Sequence, residues 1–252
     1  MSVQGKVCII TGGSSGIGLG VARKFAKEGA IVIVCARSAA PLEDAAAEMR
    51  GAGGTVDTYA FDVADYEAVG NMVKSVTEKY GGVDVLVNCA GGGTVHKRLL
   101  TTTPEDMQNA LNTNLLGTIY CAQSVLPSML KKKQGTIINV SSRASLTPGL
   151  LGGMIYGAAK AAVNNFTAFI NSEFSNTGVR ACVVIPGEVD TPALSKNRPI
   201  PPPESAREYM LKPEDMAEAI ALIASLPPRA QIQELVIRPT MRRDTTEENP
   251  PA

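Results

Sequence analysis

At 252 residues and 26.4 kDa, with 24 Lys and Arg balanced by 24 Asp and Glu, the chain is sized for one α/β domain, at roughly 150 residues per domain and often more for open sheets. A formal net charge of zero and a pI near 6.6 exclude the basic footprint of nonspecific nucleic-acid binding. The start, MSVQGKVCIITGG, has no apolar leader core, and no later run approaches the ~18 apolar residues of a membrane span, so the expectation is a cytoplasmic protein without membrane contact. Cys8, Cys35, Cys89, Cys121 and Cys182 are odd in number and form no CxxC pair, which reads as reduced thiols; with His96 the single histidine, no common zinc ligand set can be assembled.

In chain order, short Val- and Ile-rich runs at 7–10, 31–35, 55–61, 83–87, 136–140, 179–185 and 235–237 predict seven strands, and most lack the alternation of a half-exposed strand. Between the first two, Ile17, Val21, Ala22, Phe25 and Ala26 recur at helical spacing, with Gly29 closing the helix. Leu42, Ala45, Ala46 and Met49 mark a second helix, and Val69, Met72, Val73, Val76 and Tyr80 a third. Thr103-Pro104-Glu105 reads as an N-cap, first-turn proline and acidic first turn of a fourth. Residues 155–174 and 213–224 complete the set. This alternation predicts a single-domain Rossmann fold over 1–252, a doubly wound seven-stranded parallel sheet with helices on both faces. Residues 188–210, with several prolines, are too long for an ordinary connection and read as a substrate lid; the polar tail, 240–252, reads as frayed unless a neighbouring subunit holds it.

Thr11-Gly12-Gly13-Ser14-Ser15-Gly16-Ile17-Gly18 joins the first strand to the first helix. There Gly12 permits a tight turn, Gly16 lets backbone approach a pyrophosphate and Gly18 allows close helix packing. The spacing Thr-Gly-x3-Gly-x-Gly resembles that of the short-chain dehydrogenase/reductase family. The resemblance continues through Asn88-Cys89-Ala90-Gly91, Asn114, Ser142, Tyr156-x3-Lys160 and Pro186-Gly187 in order, so it spans nearly the whole chain. Cys89 stands where the family usually has Asn, a departure expected to touch loop packing more than chemistry.

The resemblance implies a nicotinamide cofactor. Where NAD-using members carry Asp after the second strand, this chain has Ala36, followed by Arg37 and Ser38, whose guanidinium and hydroxyl suit a 2′-phosphate. NADP is therefore expected over NAD, although Ser15 replaces a frequent basic residue of the glycine loop and a solvated Arg37 is the plain alternative. The resemblance also places Asp62 and Val63 at the adenine, with capping of the next helix as the other reading of Asp62. It puts Asn88, Ala90 and Gly91 at the adenosine ribose, and Pro186, Gly187, Val189 and Thr191 at the carboxamide.

Tyr156 and Lys160 project from one helix face, one turn apart. A phenol titrating near 10 is a poor base at neutral pH, but an adjacent ammonium and an oxidised nicotinamide favour phenolate, so Tyr156 is expected to be the general acid of a reduction and base of an oxidation. The resemblance has Lys160 also bond the nicotinamide ribose, Ser142 polarise the substrate carbonyl, and the Asn114 amide hold a water that links Lys160 to solvent. Ser142 stands one position farther from Tyr156 than is usual, which keeps Ser141 and Ser145 open as substitutes; Asn112 is the lesser alternative to Asn114. His96 and Lys131-Lys132-Lys133 read as solvated surface, and Met154 as a possible pocket wall. The expected activity is metal-independent hydride transfer between NADP(H) and a carbonyl or alcohol. A non-catalytic NADP-sensing module is the alternative, and a homo-oligomer, tetramer or dimer, is implied.

Overall fold

The computed structural model describes residues 2–196, 198 and 200–249. Seven strands, β1 (Val7–Thr11), β2 (Ile31–Ala36), β3 (Thr55–Ala60), β4 (Val85–Asn88), β5 (Gly135–Val140), β6 (Val179–Pro186) and β7 (Glu234–Ile237), pair in parallel in the order β3-β2-β1-β4-β5-β6-β7. The order reverses between β1 and β4, which opens a crevice at the carboxyl ends of the strands. The central strands are buried on both faces because helices cover both. The edge strands β3 and β7 are covered less, which is why β3 alone among the longer runs carries alternating polar residues.

One helical layer is α1 (Gly16–Lys27), α2 (Ala39–Gly51) and α7 (Pro213–Ser225), which buries Phe25, Leu42, Met216 and Ile220 against Cys8, Ile10, Val32 and Val34. The other is α3 (Tyr66–Tyr80), α5 (Gly117–Lys132) and α6 (Met154–Glu173), whose Met72, Val76, Val125, Met129 and Ile170 pack on Ile9, Ile33, Leu86 and Ile137. Alternate residues of each strand thus feed two separate cores.

The turn between β1 and α1 is set by close approach. Gly12 has a φ of 69°, and a Cβ on Gly18 would stand 2.4 Å from the Gly12 carbonyl oxygen, so only glycine lets α1 start this near the strand end. Thr11, at the end of a wholly buried strand, accepts from the amides of Cys89 and Ala90 at 3.1 and 3.0 Å and ties the β1 loop to the β4 loop.

The fourth predicted helix divides. Thr103 and Asp106 form a reciprocal capping box at the start of α4 (Pro104–Leu111), as the Thr-Pro-Glu signal implies. The helix then widens into a π-turn over Asn112–Leu116 before α5 continues, and α5 runs on through Pro127. π-Turns are commonly found where a helix residue is needed off the normal register, and here Asn114 occupies the widened turn.

Candidate active site

A single cleft of about 810 Å³ runs along the carboxyl ends of the strands. Gly12, Ser14, Ser15, Gly16, Ile17 and Gly18 form one end of its wall, with Arg37, Ser38, Asp62 and Val63 beside them. Ala90, Gly91, Ser142, Tyr156, Lys160, Pro186, Gly187, Val189 and Thr191 line the remainder. Ala36 is followed by an exposed Arg37 that makes no ion pair among the described residues. Asp62 borders the cleft and does not cap α3: its carboxylate accepts from the Ala64 amide at 2.9 Å, and Asp65 is the residue that caps the helix.

Two expected site residues are placed elsewhere. Asn88 is not in the cleft wall. As the last residue of β4 it alternates onto the α5–α6 side, where its amide donates to Asn139 Oδ1 at 2.9 Å, and Asn139 donates in turn to Thr167 on α6 at 2.9 Å. The strand parity that puts Leu86 into one core puts Asn88 there too; its backbone, not its side chain, borders the glycine loop. Asn114 is fully buried, and both of its amide protons are taken, by Gly92 O at 3.0 Å and Ala110 O at 2.9 Å, while its Oδ1 accepts from the Gly92 amide at 3.1 Å. This amide therefore positions the loop after β4 instead of offering a proton to water.

Gly91 is where these groups converge: a Cβ there would stand 2.6 Å from Asn114 Oδ1 and 3.2 Å from Lys160 Nζ. Lys160 is buried and donates to the Val140 carbonyl at 2.9 Å, at the end of β5. Burial pushes its ammonium down to about 8. The Lys160 Nζ lies 5.9 Å from the centroid of the Tyr156 ring. Burial raises the Tyr156 phenol, and the Ser142 hydroxyl beside it offsets part of that rise. Burial is thus the largest influence on the phenol, and it acts against the lowering expected of the adjacent ammonium together with an oxidised nicotinamide. The thiol of the partly buried Cys89 is pushed up to about 12 by desolvation, which keeps it protonated at neutral pH.

The three candidate serines separate by their partners. Ser141 donates to Asn164 Oδ1 at 2.6 Å, and Ser145 donates to the Ser142 carbonyl at 2.6 Å while accepting from Asn164 at 2.9 Å. Ser142 accepts from the Ala144 amide at 3.2 Å, and of the three it is the one set against the Tyr156 phenol. His96 is half exposed and pairs with Asp106 at 2.8 Å on the surface.

The sequence reading missed the far wall. Residues 240–249 are folded over the cleft, not frayed; residues 250–252 lie outside the described residues, as do Asn197 and Pro199 within the expected lid. Arg243 donates to Glu188 at 2.7 Å and to Glu248, and Arg198 bridges the same two carboxylates, so the tail, the segment after β6 and the Pro-Gly loop are joined by one buried ion cluster. Burial pushes the Glu188 and Glu248 carboxyls up, but the guanidinium bonds prevail and hold both below their ordinary value. The available signal was Asp244-Thr245-Thr246-Glu247-Glu248, whose Asp244 accepts from the Thr246 amide at 2.9 Å and opens a short 3₁₀ turn. Lys97 is a nearly buried member of the cleft wall. No cluster of potential metal ligands occurs among the described residues, and no helix among them is long and apolar enough to cross a membrane.

Residues 6–200 match the model of the short chain dehydrogenase family. The 3-oxoacyl-(acyl-carrier-protein) reductase of Thermotoga maritima is 38% identical over 234 residues, covering 89% of this chain and 92% of that protein. Among solved structures, a metagenomic short-chain oxidoreductase in complex with NADP superposes with a TM-score of 0.83 at 30% identity, covering 96% of this chain and 100% of that one. Actinorhodin polyketide ketoreductase with NADPH superposes with a TM-score of 0.86 at 30% identity, covering 95% and 98%.

The ion cluster has a direct consequence. Because the folded carboxyls titrate below their unfolded values, the cluster's stabilisation is complete above the ordinary carboxylate range and is lost as pH falls through the lowered values. Breaking one partner of such a buried set costs about 3 kcal/mol, more than enough to release a terminal segment locally. Glu248→Gln is expected to expose residues 240–249 to limited proteolysis at neutral pH, as acidification does in the wild type; a tail equally protected in both proteins at every pH contradicts this.

Proposed function

Because the chain belongs to the short-chain dehydrogenase family, with its oxidoreductase relatives, we propose that it interconverts a carbonyl and an alcohol with NADP(H), Tyr156 serving as general acid and base. The observation that carries this reading is the convergence of Ser142, Tyr156 and Lys160 in the cleft that the glycine loop borders.

The cleft fits a dinucleotide. The start of α1 presents unpaired backbone amides to a pyrophosphate, and side chains are absent where the backbone must be approached, at Gly12 and Gly16. Arg37, exposed, without an acidic neighbour at the end of β2 and without an ion pair among the described residues, suits a 2′-phosphate, and relatives of known structure were solved with NADP or NADPH. Asp62 and Val63 would border the adenine; Pro186, Gly187, Val189 and Thr191 would border the nicotinamide. When bound, NADPH supplies the hydride for reduction.

On the protein side, Ser142 donates to the substrate oxygen and Tyr156 delivers its phenolic proton there as negative charge develops. In the reverse direction Tyr156 takes the proton up. Lys160, fixed by the Val140 carbonyl, stabilises phenolate to the extent that it is charged, and its lowered value makes it a proton donor to Tyr156 near neutral pH. Asn114 is a positioning residue, holding Gly91 and Gly92 so that Lys160 keeps its place. Residues 188–210 together with the ion-paired tail would enclose the substrate, and the exposed Phe169 on α6 offers an apolar surface for the implied homo-oligomer.

Tyr156→Phe keeps the ring and loses the proton. It is expected to lower kcat by at least about 100-fold, the usual reach of general acid–base catalysis, with NADPH affinity unchanged by fluorescence titration; near-normal turnover of a carbonyl panel contradicts the role. Arg37→Ala is expected to reduce the NADPH-to-NADH ratio of kcat/KM by about 10-fold or more, the value of a lost charge-assisted phosphate contact. An unchanged ratio removes the NADP assignment while leaving Tyr156 unaffected.

A further inference from the structure

Lys97 stands on the loop after β4 and is 4% exposed. Its stem lies across the start of α6, where a Cβ on Gly153 would stand 2.9 Å from Lys97 Cδ, and its carbonyl accepts from the Met154 amide at 3.1 Å. The side chain borders the same cleft as Tyr156 and Ser142. Among the described residues its ammonium has neither a hydrogen bond nor an ion pair, and its tip keeps some contact with solvent in the cleft. The charge that acts on it is another cation, Arg198.

Glu188 and Glu248 are shared between Arg198 and Arg243, and among the described residues no carboxylate acts on Lys97. Arg143 and Arg242 border the cleft too, without ion pairs among the described residues. Partial burial, with the Arg198 cation acting on it, pushes Lys97 down to about 8, which leaves it mostly charged at neutral pH. Such a group is compensated when an anion enters the cleft. The cofactor's phosphates are not that anion in the proposed arrangement, because the glycine loop follows β1, whereas Lys97 packs against the start of α6, after β5, and acts on Arg198, after β6.

We propose that Lys97 is a specificity residue that pairs with an anionic group on the substrate, a carboxylate or phosphate carried near the reacting carbonyl. This rests on the carbonyl-reductase reading above and narrows its substrate class to oxo compounds bearing a negative charge.

The test compares matched charged and neutral substrates in the wild type, Lys97→Met and Lys97→Arg, with NADPH. One arm sets acetoacetate and 3-oxohexanoate against their methyl esters; the other sets dihydroxyacetone phosphate against dihydroxyacetone. In the wild type at least one charged member is expected to exceed its neutral partner in kcat/KM, and Lys97→Met is expected to cut that preference on the order of 10- to 100-fold while leaving the neutral member unchanged. Lys97→Arg should retain part of it. The arm in which the preference appears tells carboxylate from phosphate. A preference that is absent in the wild type, or untouched in Lys97→Met, overturns the proposal. So does an equal fall for charged and neutral members, which is the mark of a structural role. The neutral members report carbonyl reduction on its own, so their turnover with a flat ratio rejects Lys97 alone.

Thermal unfolding gives a readout separate from activity. Because Met replaces an unpaired ammonium at similar volume, Lys97→Met is expected to unfold no lower than the wild type, and the charged hydroxy acid 3-hydroxybutyrate or glycerol 3-phosphate, added with NADP⁺, should raise Tm in the wild type only. A Tm rise of equal size in Lys97→Met counts against the proposal.

Discussion

Room for no side chain at Gly91 is the constraint around which the candidate site is arranged. The Asn114 amide from the π-turn and the Lys160 ammonium from α6 meet at that backbone, at 2.6 and 3.2 Å from where a Cβ would lie. Each is held from behind. Asn114 is fixed by Gly92 and Ala110, Lys160 by the Val140 carbonyl, and the loop itself by Thr11 at the end of β1. Three strands and two helices thus agree on the position of one ammonium, and Tyr156, one turn earlier on α6, inherits that precision.

Such a site works by opposed burial effects. Taking Tyr156 out of water raises its phenol, and taking Lys160 out of water brings its ammonium down to about 8, so burial draws apart two proton affinities that lie close together, near 10, in water. The Glu188, Arg198, Arg243 and Glu248 cluster helps to keep the cleft enclosed from the other side, and it joins segments separated by about 50 residues in the chain.

The sheet was legible because each strand is a Val- and Ile-rich run and each helix keeps its period; the seven runs and the observed strands differ by one or two residues at their ends. Most of the cleft was legible for a related reason, since the Gly loop, Arg37, Ser142, Tyr156 and Lys160 sit at strand ends or in one helix turn, where local geometry fixes what they face. Side-chain direction at the motif margins was not. Asn88 lies within a cofactor motif, yet strand parity turns its amide into the core toward Asn139. The π-turn at Asn114 depends on one shifted hydrogen bond that no residue type announces. The tail was misread because its composition is polar and proline-containing, whereas its order comes from Arg243 and Glu248 meeting partners far upstream. The burial of Lys97 carries no periodic signal, because it is a lone lysine in a loop, and only the fold shows it.

The central claim is that burial alone holds the Tyr156 proton in place and that a cationic cofactor releases it. The direct measurement is the tyrosinate absorbance difference between the wild type and Tyr156→Phe as pH is raised, without and with saturating NADP⁺. The account predicts titration above the ordinary value of about 10 without NADP⁺ and a clear downward displacement with it. The same titration in both states, or an already lowered one in the protein alone, would contradict it.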